Sequence, residues 1–306
     1  MSMSRRDLIK WTAGASLVAS GHWSHLLADQ GPAIKTTIPS SGQQVPAIGI
    51  GTVKFRGDPG SAEIQVFRET LDIFHRAGGR LVDTSPNYGN SEAVLGILMK
   101  DLGIRDELFV ATKVDRELKD AGIERMDSSM QRLGGEQVDL MQVHNLRGTD
   151  IQLENMQALK GEGRIRYVGI TTHTSRQYED FEASMRKHKL DFIQVNYSLA
   201  DRGANERILP LARDNGVAVL VNRPFGKGRL FQAVGDRPLP DWAADIDAKS
   251  WGQVFLKYVV SHPAATLPIP GTSKPHHATD NMGALYGRLP DQELRAEMEQ
   301  FMDALL

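Results

Sequence analysis

A (β/α)8 barrel, the α/β fold known as a TIM barrel, is predicted by three features: eight short apolar runs, helical patterns between them, and a regular recurrence of roughly 30 residues. The runs are Ala47–Val53, Arg80–Thr84, Leu108–Val114, Val138–Val143, Arg166–Thr171, Asp191–Asn196, Val217–Asn222 and Ala265–Pro270. Each is rich in Val, Ile or Leu, as parallel strands covered on both faces are. Between the first two runs, Ile64, Phe67, Leu71 and Phe74 fall on one helical face; Ile123, Met126, Met130 and Leu133 repeat the pattern further on. Such stripes give each helix one side to bury against a sheet. Only the interval between the seventh and eighth runs is longer. Its excess, Gly226–Ser250, holds Pro238-Leu239-Pro240 and several glycines, and reads as a long loop. Ahead of the first strand, Lys35–Gln44 contains Ser40-Ser41-Gly42, which suits an N-terminal β-hairpin across the barrel bottom. At the other end, Leu294, Met298, Phe301, Met302 and Leu305 predict an extra C-terminal helix within Asp291–Leu306. Residues 31–306 therefore read as one barrel domain.

Composition narrows the function. The chain has 306 residues with 36 Lys+Arg against 38 Asp+Glu, a net charge of -2 that excludes a polyanion grip as the main business, so no nucleic acid is expected. Cysteine is absent, which rules out disulfides, thiolate metal sites and a cysteine nucleophile. No apolar run approaches the roughly 18 residues of a membrane span. No metal-ligating cluster is visible, and His276-His277 is assigned instead to the last helix of the barrel.

Residues 1–30 read as an address. Arg5-Arg6 precede a mildly apolar stretch from Trp11 to Gly21, the layout of a signal peptide. The segment resembles a twin-arginine (Tat) signal, with Leu8 where that motif usually has Phe. An amphipathic N-terminal helix is the alternative. The resemblance implies the twin-arginine translocase as a partner and a periplasmic or exported protein; without a working signal the protein stays cytoplasmic.

In such barrels the chemistry sits where strand C-termini converge. The second run delivers Asp83 and, a few residues on, Tyr88; the third delivers Lys113 and the fourth His144. Each has a structural explanation alone, from an Asx turn to a satisfied core histidine. Together, at one rim, they fit one task. A free phenol has a pKa of about 10 and releases its proton poorly at neutral pH. A nearby Lys113 ammonium is expected to lower it, with Asp83 fixing the ammonium and His144 donating to a substrate oxygen. Protonating an oxygen while its carbon is attacked describes carbonyl reduction, and the hydride must come from a nicotinamide cofactor. Gly49-Ile50-Gly51 and Gly226-Lys227-Gly228 are too incomplete to be dinucleotide-binding loops. After the eighth run, Gly271-Thr272-Ser273-Lys274-Pro275 opens a helix; its first turn is either an anion site or a plain helix start.

These residues resemble the aldo-keto reductase superfamily over nearly all of 35–306. Asp83, Tyr88, Lys113 and His144 match its catalytic tetrad in identity, order and spacing. The resemblance implies reduction of an aldehyde or ketone to an alcohol by NADPH, with NAD as the alternative, and Tyr88 as general acid. It implies that Gln194 holds the nicotinamide carboxamide beside Thr171 and Thr172, which replace the family's usual Ser-Asn. Gly271, Thr272, Ser273, Lys274, His277 and Asn281 would grip the adenosine phosphate, with His277 where an arginine is common. Asn222-Arg223-Pro224-Phe225-Gly226 stands where Tyr-Ser-Pro-Leu-Gly is usual, so Asn222, Arg223 and Phe225 take the nicotinamide and pyrophosphate side. Phe55 is expected to wall the substrate pocket, with Lys54 or Arg147 as cations for an acidic substrate or as solvated charges. Trp242 and Trp251 either close over cofactor or pack beneath the long loop. Two other readings stay open: a cofactor-binding sensor with little turnover, and a non-redox isomerase or lyase using Tyr88 and Lys113.

Overall fold

The structure, a computed structural model, describes residues 31–306; the export reading of residues 1–30 lies outside the described residues. A two-stranded hairpin, β1 (Lys35–Thr37) and β2 (Gln44–Pro46), leads into eight parallel strands. These are β3 (Ile50–Gly51), β4 (Leu81–Asp83), β5 (Phe109–Val114), β6 (Val138–Val143), β7 (Ile165–Thr171), β8 (Phe192–Asn196), β9 (Ala218–Asn222) and β10 (Thr266–Pro268). Each pairs with its sequence neighbour. The circle closes where Gly49 and Gly51 donate their amides to Pro268 and Pro270 at 3.0 Å. The two glycines let the backbones approach closely at this seam. A Cβ on Gly51 would stand 3.0 Å from the Ile269 carbonyl oxygen, and one on Gly49 2.8 Å from Leu81 Cδ2. The Gly49-Ile50-Gly51 run thus serves barrel closure.

The helices are α1 (Ala62–Arg76), α2 (Ser91–Leu102), α3 (Lys119–Arg132), α4 (Thr149–Gly161), α5 (Tyr178–Lys187), α6 (Ala204–Asp214), α7 (Arg229–Val234), α8 (Trp251–Val260), α9 (Pro275–Gly283) and α10 (Gln292–Asp303). The expected stripe of α1 is buried, and in the second stripe Met126, Met130 and Leu133 are buried while Ile123 stays half-buried. The C-terminal helix forms as expected, capped by Asp291 accepting from the Leu294 amide at 2.9 Å. Gly226–Ser250 departs from the expected loop. It holds a 3-10 turn at Gly226–Gly228, the short helix α7, and another 3-10 turn at Asp241–Ile246. Leu230, Val234, Ala243 and Ile246 anchor these pieces in the core, a spacing too brief to show as a periodic pattern among prolines and glycines.

Strand alternation divides the interior into two zones. Leu81, Phe109, Leu140, Tyr167, Phe192, Leu220 and Leu267 point inward and fill the lower barrel, where Ile38 and Val45 of the hairpin close the floor. Phe109, Tyr167 and Phe192 pack there with centroids 5.6 to 5.9 Å apart, the first two stacked and Tyr167 edge-on to Phe192. Two residues or one further pleat along, the same inward phase turns polar: Asp83, Lys113, Gln142, Thr171, Gln194 and Asn222. A dry floor beneath a polar upper layer is what positions the site.

Candidate active site

Asp83 and Lys113 form the base of the upper layer, on adjacent strands and buried at 2% and 1% exposure. Lys113 Nζ donates to Asp83 Oδ1 at 2.8 Å, Asp83 Oδ2 at 2.9 Å and the Thr84 carbonyl at 2.7 Å. The ammonium is thus surrounded by close acceptors, the condition under which a buried charge is tolerable. Burial works to lower the Lys113 pKa, but the Asp83 carboxylate, followed by Tyr88, outweighs it and holds the ammonium above its ordinary value. Burial raises the Asp83 carboxyl against the opposing pull of Lys113.

Tyr88 emerges from the loop after β4, with Lys113 Nζ 5.3 Å from its ring centroid. The strongest influence on its phenol is the Lys113 ammonium, which lowers the pKa as expected. Burial and the Asp83 carboxylate push the other way, and the balance leaves the phenol above its ordinary value. This corrects the expected net lowering: Lys113 limits a rise that burial causes. At neutral pH the phenol therefore keeps its proton. His144 follows β6 and meets the Tyr88 ring edge-on at 6.3 Å between centroids. Burial, and then the Lys113 charge, lower its pKa to about 4, so its imidazole is neutral at physiological pH. Its Nδ1 faces Ser85 Oγ at 3.3 Å and Asn87 Nδ2 at 3.4 Å.

These four residues open into a cleft of about 770 Å³ at the strand C-termini. Thr171, Gln194, Asn222, Arg223, Phe225 and Gly271 line the same cleft. An amide relay crosses it. Gln142 donates to Gln194 at 2.9 Å, Gln194 to Asn222 at 2.7 Å and to Asp83 at 3.3 Å, and Asn222 to the Thr172 carbonyl at 3.2 Å. Arg223 takes a left-handed backbone (φ 52°) and donates to the His173 carbonyl at 3.1 Å. The structure does not bring six other expected residues into the cleft. Thr172 is out of phase with the inward residues and donates to Gln177 at 2.7 Å. Thr272, Ser273, Lys274, His277 and Asn281 gather at the start of α9, just beyond Gly271. There Pro275 occupies the first turn, Asn281 donates to Thr272 Oγ1 at 2.9 Å, and Lys274 and His277 are exposed.

The pocket wall differs from expectation. Phe55 is fully buried and stacks on Phe67 at 4.9 Å in the outer core, while Val53 and Lys54 line the cleft instead. Arg147 is exposed and paired with Glu117 at 3.2 Å. Trp242 and Trp251 both pack on Phe301, at 6.0 and 5.7 Å, away from the cleft lining. Sequence reasoning gave no role to Gln142, Asn145, His173 or Lys227. Gln142 shares the inward phase of Leu140, a signal that alternation could have supplied. Among the described residues, no group of three or more His, Asp or Glu is placed to hold a metal ion.

Fold and site together define an α/β barrel with a cleft of ionisable and amide side chains at the mouth of its sheet. Comparison with known proteins gives the class its family. The Aldo/keto reductase family model matches residues 47–300. The chain is 26% identical to the NADH-specific methylglyoxal reductase of Escherichia coli (strain K12), over 84% of this chain and 95% of that one. It is 30% identical to aldo-keto reductase YhdN of Bacillus subtilis (strain 168), over 64% of this chain and 63% of that one. An aldo-keto reductase from Klebsiella pneumoniae, solved in complex with NADPH, superposes with a TM-score of 0.73 at 26% identity, covering 88% of this chain and 95% of that one. The chain belongs to the Aldo/keto reductase family and is an NAD(P)H-dependent oxidoreductase.

Proposed function

We propose that the protein reduces aldehydes or ketones to alcohols, with Tyr88 as the general acid and NADPH as the cofactor. NADH is the alternative, since one relative is named for it and another is solved with NADPH. The cleft fits such a group. Its volume lies in the range of small-molecule sites, and Lys54, Arg223 and Lys227 line it without a carboxylate partner among the described residues. Arg223 and Lys227 would meet the pyrophosphate, and Lys274 with the α9 N-terminus the adenosine phosphate. Asn222 and Gln194 would hold the carboxamide. When bound, the cofactor supplies the hydride.

The chain's own part is the proton. His144, neutral, donates a hydrogen bond to the carbonyl oxygen and orients it. Tyr88 gives its proton to that oxygen as negative charge develops, and the adjacent Lys113 ammonium stabilises the phenolate left behind. Asp83 keeps Lys113 charged. The observation that carries this reading is that the Tyr88 ring lies beside both the Lys113 ammonium, 5.3 Å from its centroid, and the neutral His144 imidazole, 6.3 Å between centroids, in one cleft.

The test is to follow reduced-nicotinamide absorbance with NADPH or NADH and a carbonyl panel that includes methylglyoxal. We expect turnover that falls by at least about 100-fold in Tyr88→Phe, the scale of general-acid effects, with cofactor affinity retained. Cofactor binding without turnover on any carbonyl would favour a sensor, and no cofactor binding would overturn the reading. We also propose export through the twin-arginine route, supported by Arg5-Arg6 and the apolar stretch that follows. The full chain should appear in the periplasmic fraction and be retained in the cytoplasm when both arginines become lysine.

A further inference from the structure

A neutral imidazole has a single N–H to give, so the reading above requires that hydrogen to sit on the nitrogen that meets the substrate. The surroundings of the other nitrogen decide where it sits. Arg125 Nη2 donates to Asn87 Oδ1 at 2.8 Å, and a guanidinium can only donate. The oxygen of the Asn87 amide is thereby fixed, and its NH2 group must face the opposite way. One of those hydrogens goes to Asp115 Oδ2 at 2.8 Å; the other points at His144 Nδ1, 3.4 Å away. Asp115 is itself buried and held by Arg116 at 2.7 Å and Arg125 at 3.4 Å, so this amide has little freedom to turn. Ser85 Oγ, 3.3 Å from the same Nδ1, is a hydroxyl that can donate to it as well. Both contacts lie at the long end of the hydrogen-bond range. A hydrogen on Nδ1 would confront the Asn87 amide donor to donor.

We propose that Asn87 is a positioning residue: its amide, oriented by Arg125 and Asp115, makes His144 Nδ1 an acceptor and so places the hydrogen on Nε2. Asn87 and Tyr88 are then neighbours in sequence that set the two partners of one oxygen, the first by fixing the donor and the second by carrying the acid. This rests on the carbonyl-reduction reading of the site. The titratable groups facing His144 are Lys113 and Asp115 from β5 and the segment just after it, and His173 from the loop after β7, with the Tyr88 phenol edge-on from the loop after β4.

Nitrogen-15 NMR of the full chain labelled at histidine tests it, with the His144 signals identified by their loss in His144→Gln. Without cofactor at neutral pH, Nδ1 should be pyridine-like and Nε2 pyrrole-like. Asn87→Asp replaces the donor with an acceptor of the same shape. It should draw the hydrogen to Nδ1, move the titration of His144 to higher pH and lower turnover by roughly 100-fold, the worth of one aligned donor, with cofactor affinity unchanged. A pyrrole-like Nδ1 in the wild-type protein overturns the proposal whether or not any variant folds. So does a folded Asn87→Asp whose His144 signals and turnover match the wild type. Because the tautomer is read without turnover, a protein that reduces no carbonyl would sink the functional reading separately.

Discussion

At Tyr88 two opposing influences meet within one side chain's reach, and Lys113 supplies the one that favours proton release. Removing Lys113 does more than dim that field. In Lys113→Met the Asp83 carboxylate stays buried without its partner, so the variant should lose about 3–5 kcal/mol of stability, measurable by urea unfolding. The double variant Asp83→Asn, Lys113→Met should be more stable than Lys113→Met alone, because no charge is stranded. Both should be poor catalysts. Agreement between the stability of single and double variants would show that the pair is not coupled as the 2.8 Å contact requires. Sequence position alone singled out Asp83, Tyr88, Lys113 and His144 as candidates, because strand ends are legible from the apolar runs. It gave no role to Asn87 and Gln142, whose contacts depend on which way a side-chain amide points, and that is set by partners 28 to 52 positions away.

Among elements, α2 and α3 meet backbone to backbone. A Cβ on Gly96 would stand 2.0 Å from the Arg132 carbonyl oxygen, and the same pair of helices is tied by Glu92 accepting from Arg132 at 2.7 Å. Gly96→Ala should therefore destabilise by about 1–3 kcal/mol despite the better helix propensity of alanine, seen as a lower urea midpoint. At the chain's end, Asp291→Ala should cost about 1 kcal/mol by removing the cap of α10. The stretch Gly226–Ser250 shows why short elements escape sequence reading. Its helices last one to two turns, too brief for periodicity, and owe their form to burial of Leu230 and Ile246 rather than to local preference.

For the molecule as a whole, two histidines held neutral link stability to pH. His144 and His262 both titrate at about 4, lowered first by burial and then by the nearby Lys113 and Arg295 charges respectively. His262 is fixed as a neutral tautomer, accepting from the Ala264 amide at 3.0 Å and bonded to Asn205 Oδ1 at 2.7 Å. In the unfolded chain each takes up a proton near pH 6.5, so between about 6.5 and 4 the unfolded state binds more protons than the folded one. Stability should fall as pH drops through that window. Urea midpoints measured from pH 7 to 4.5 should show this slope, and His262→Gln should flatten it; an unchanged slope would remove His262 from the account.

The sequence by itself determined the barrel, its hairpin floor, its closing helix and the four residues at the strand ends. Those follow from alternation and recurrence, which are local and written in order along the chain. Only the tertiary structure decided that Phe55 turns into the outer core, that Thr172 faces away from the cleft, that the phenol's pKa is raised on balance, and that Asn87 confronts His144. Each of those depends on desolvation or on the direction of a bond between distant segments, and neither quantity exists until the strands have closed into a ring.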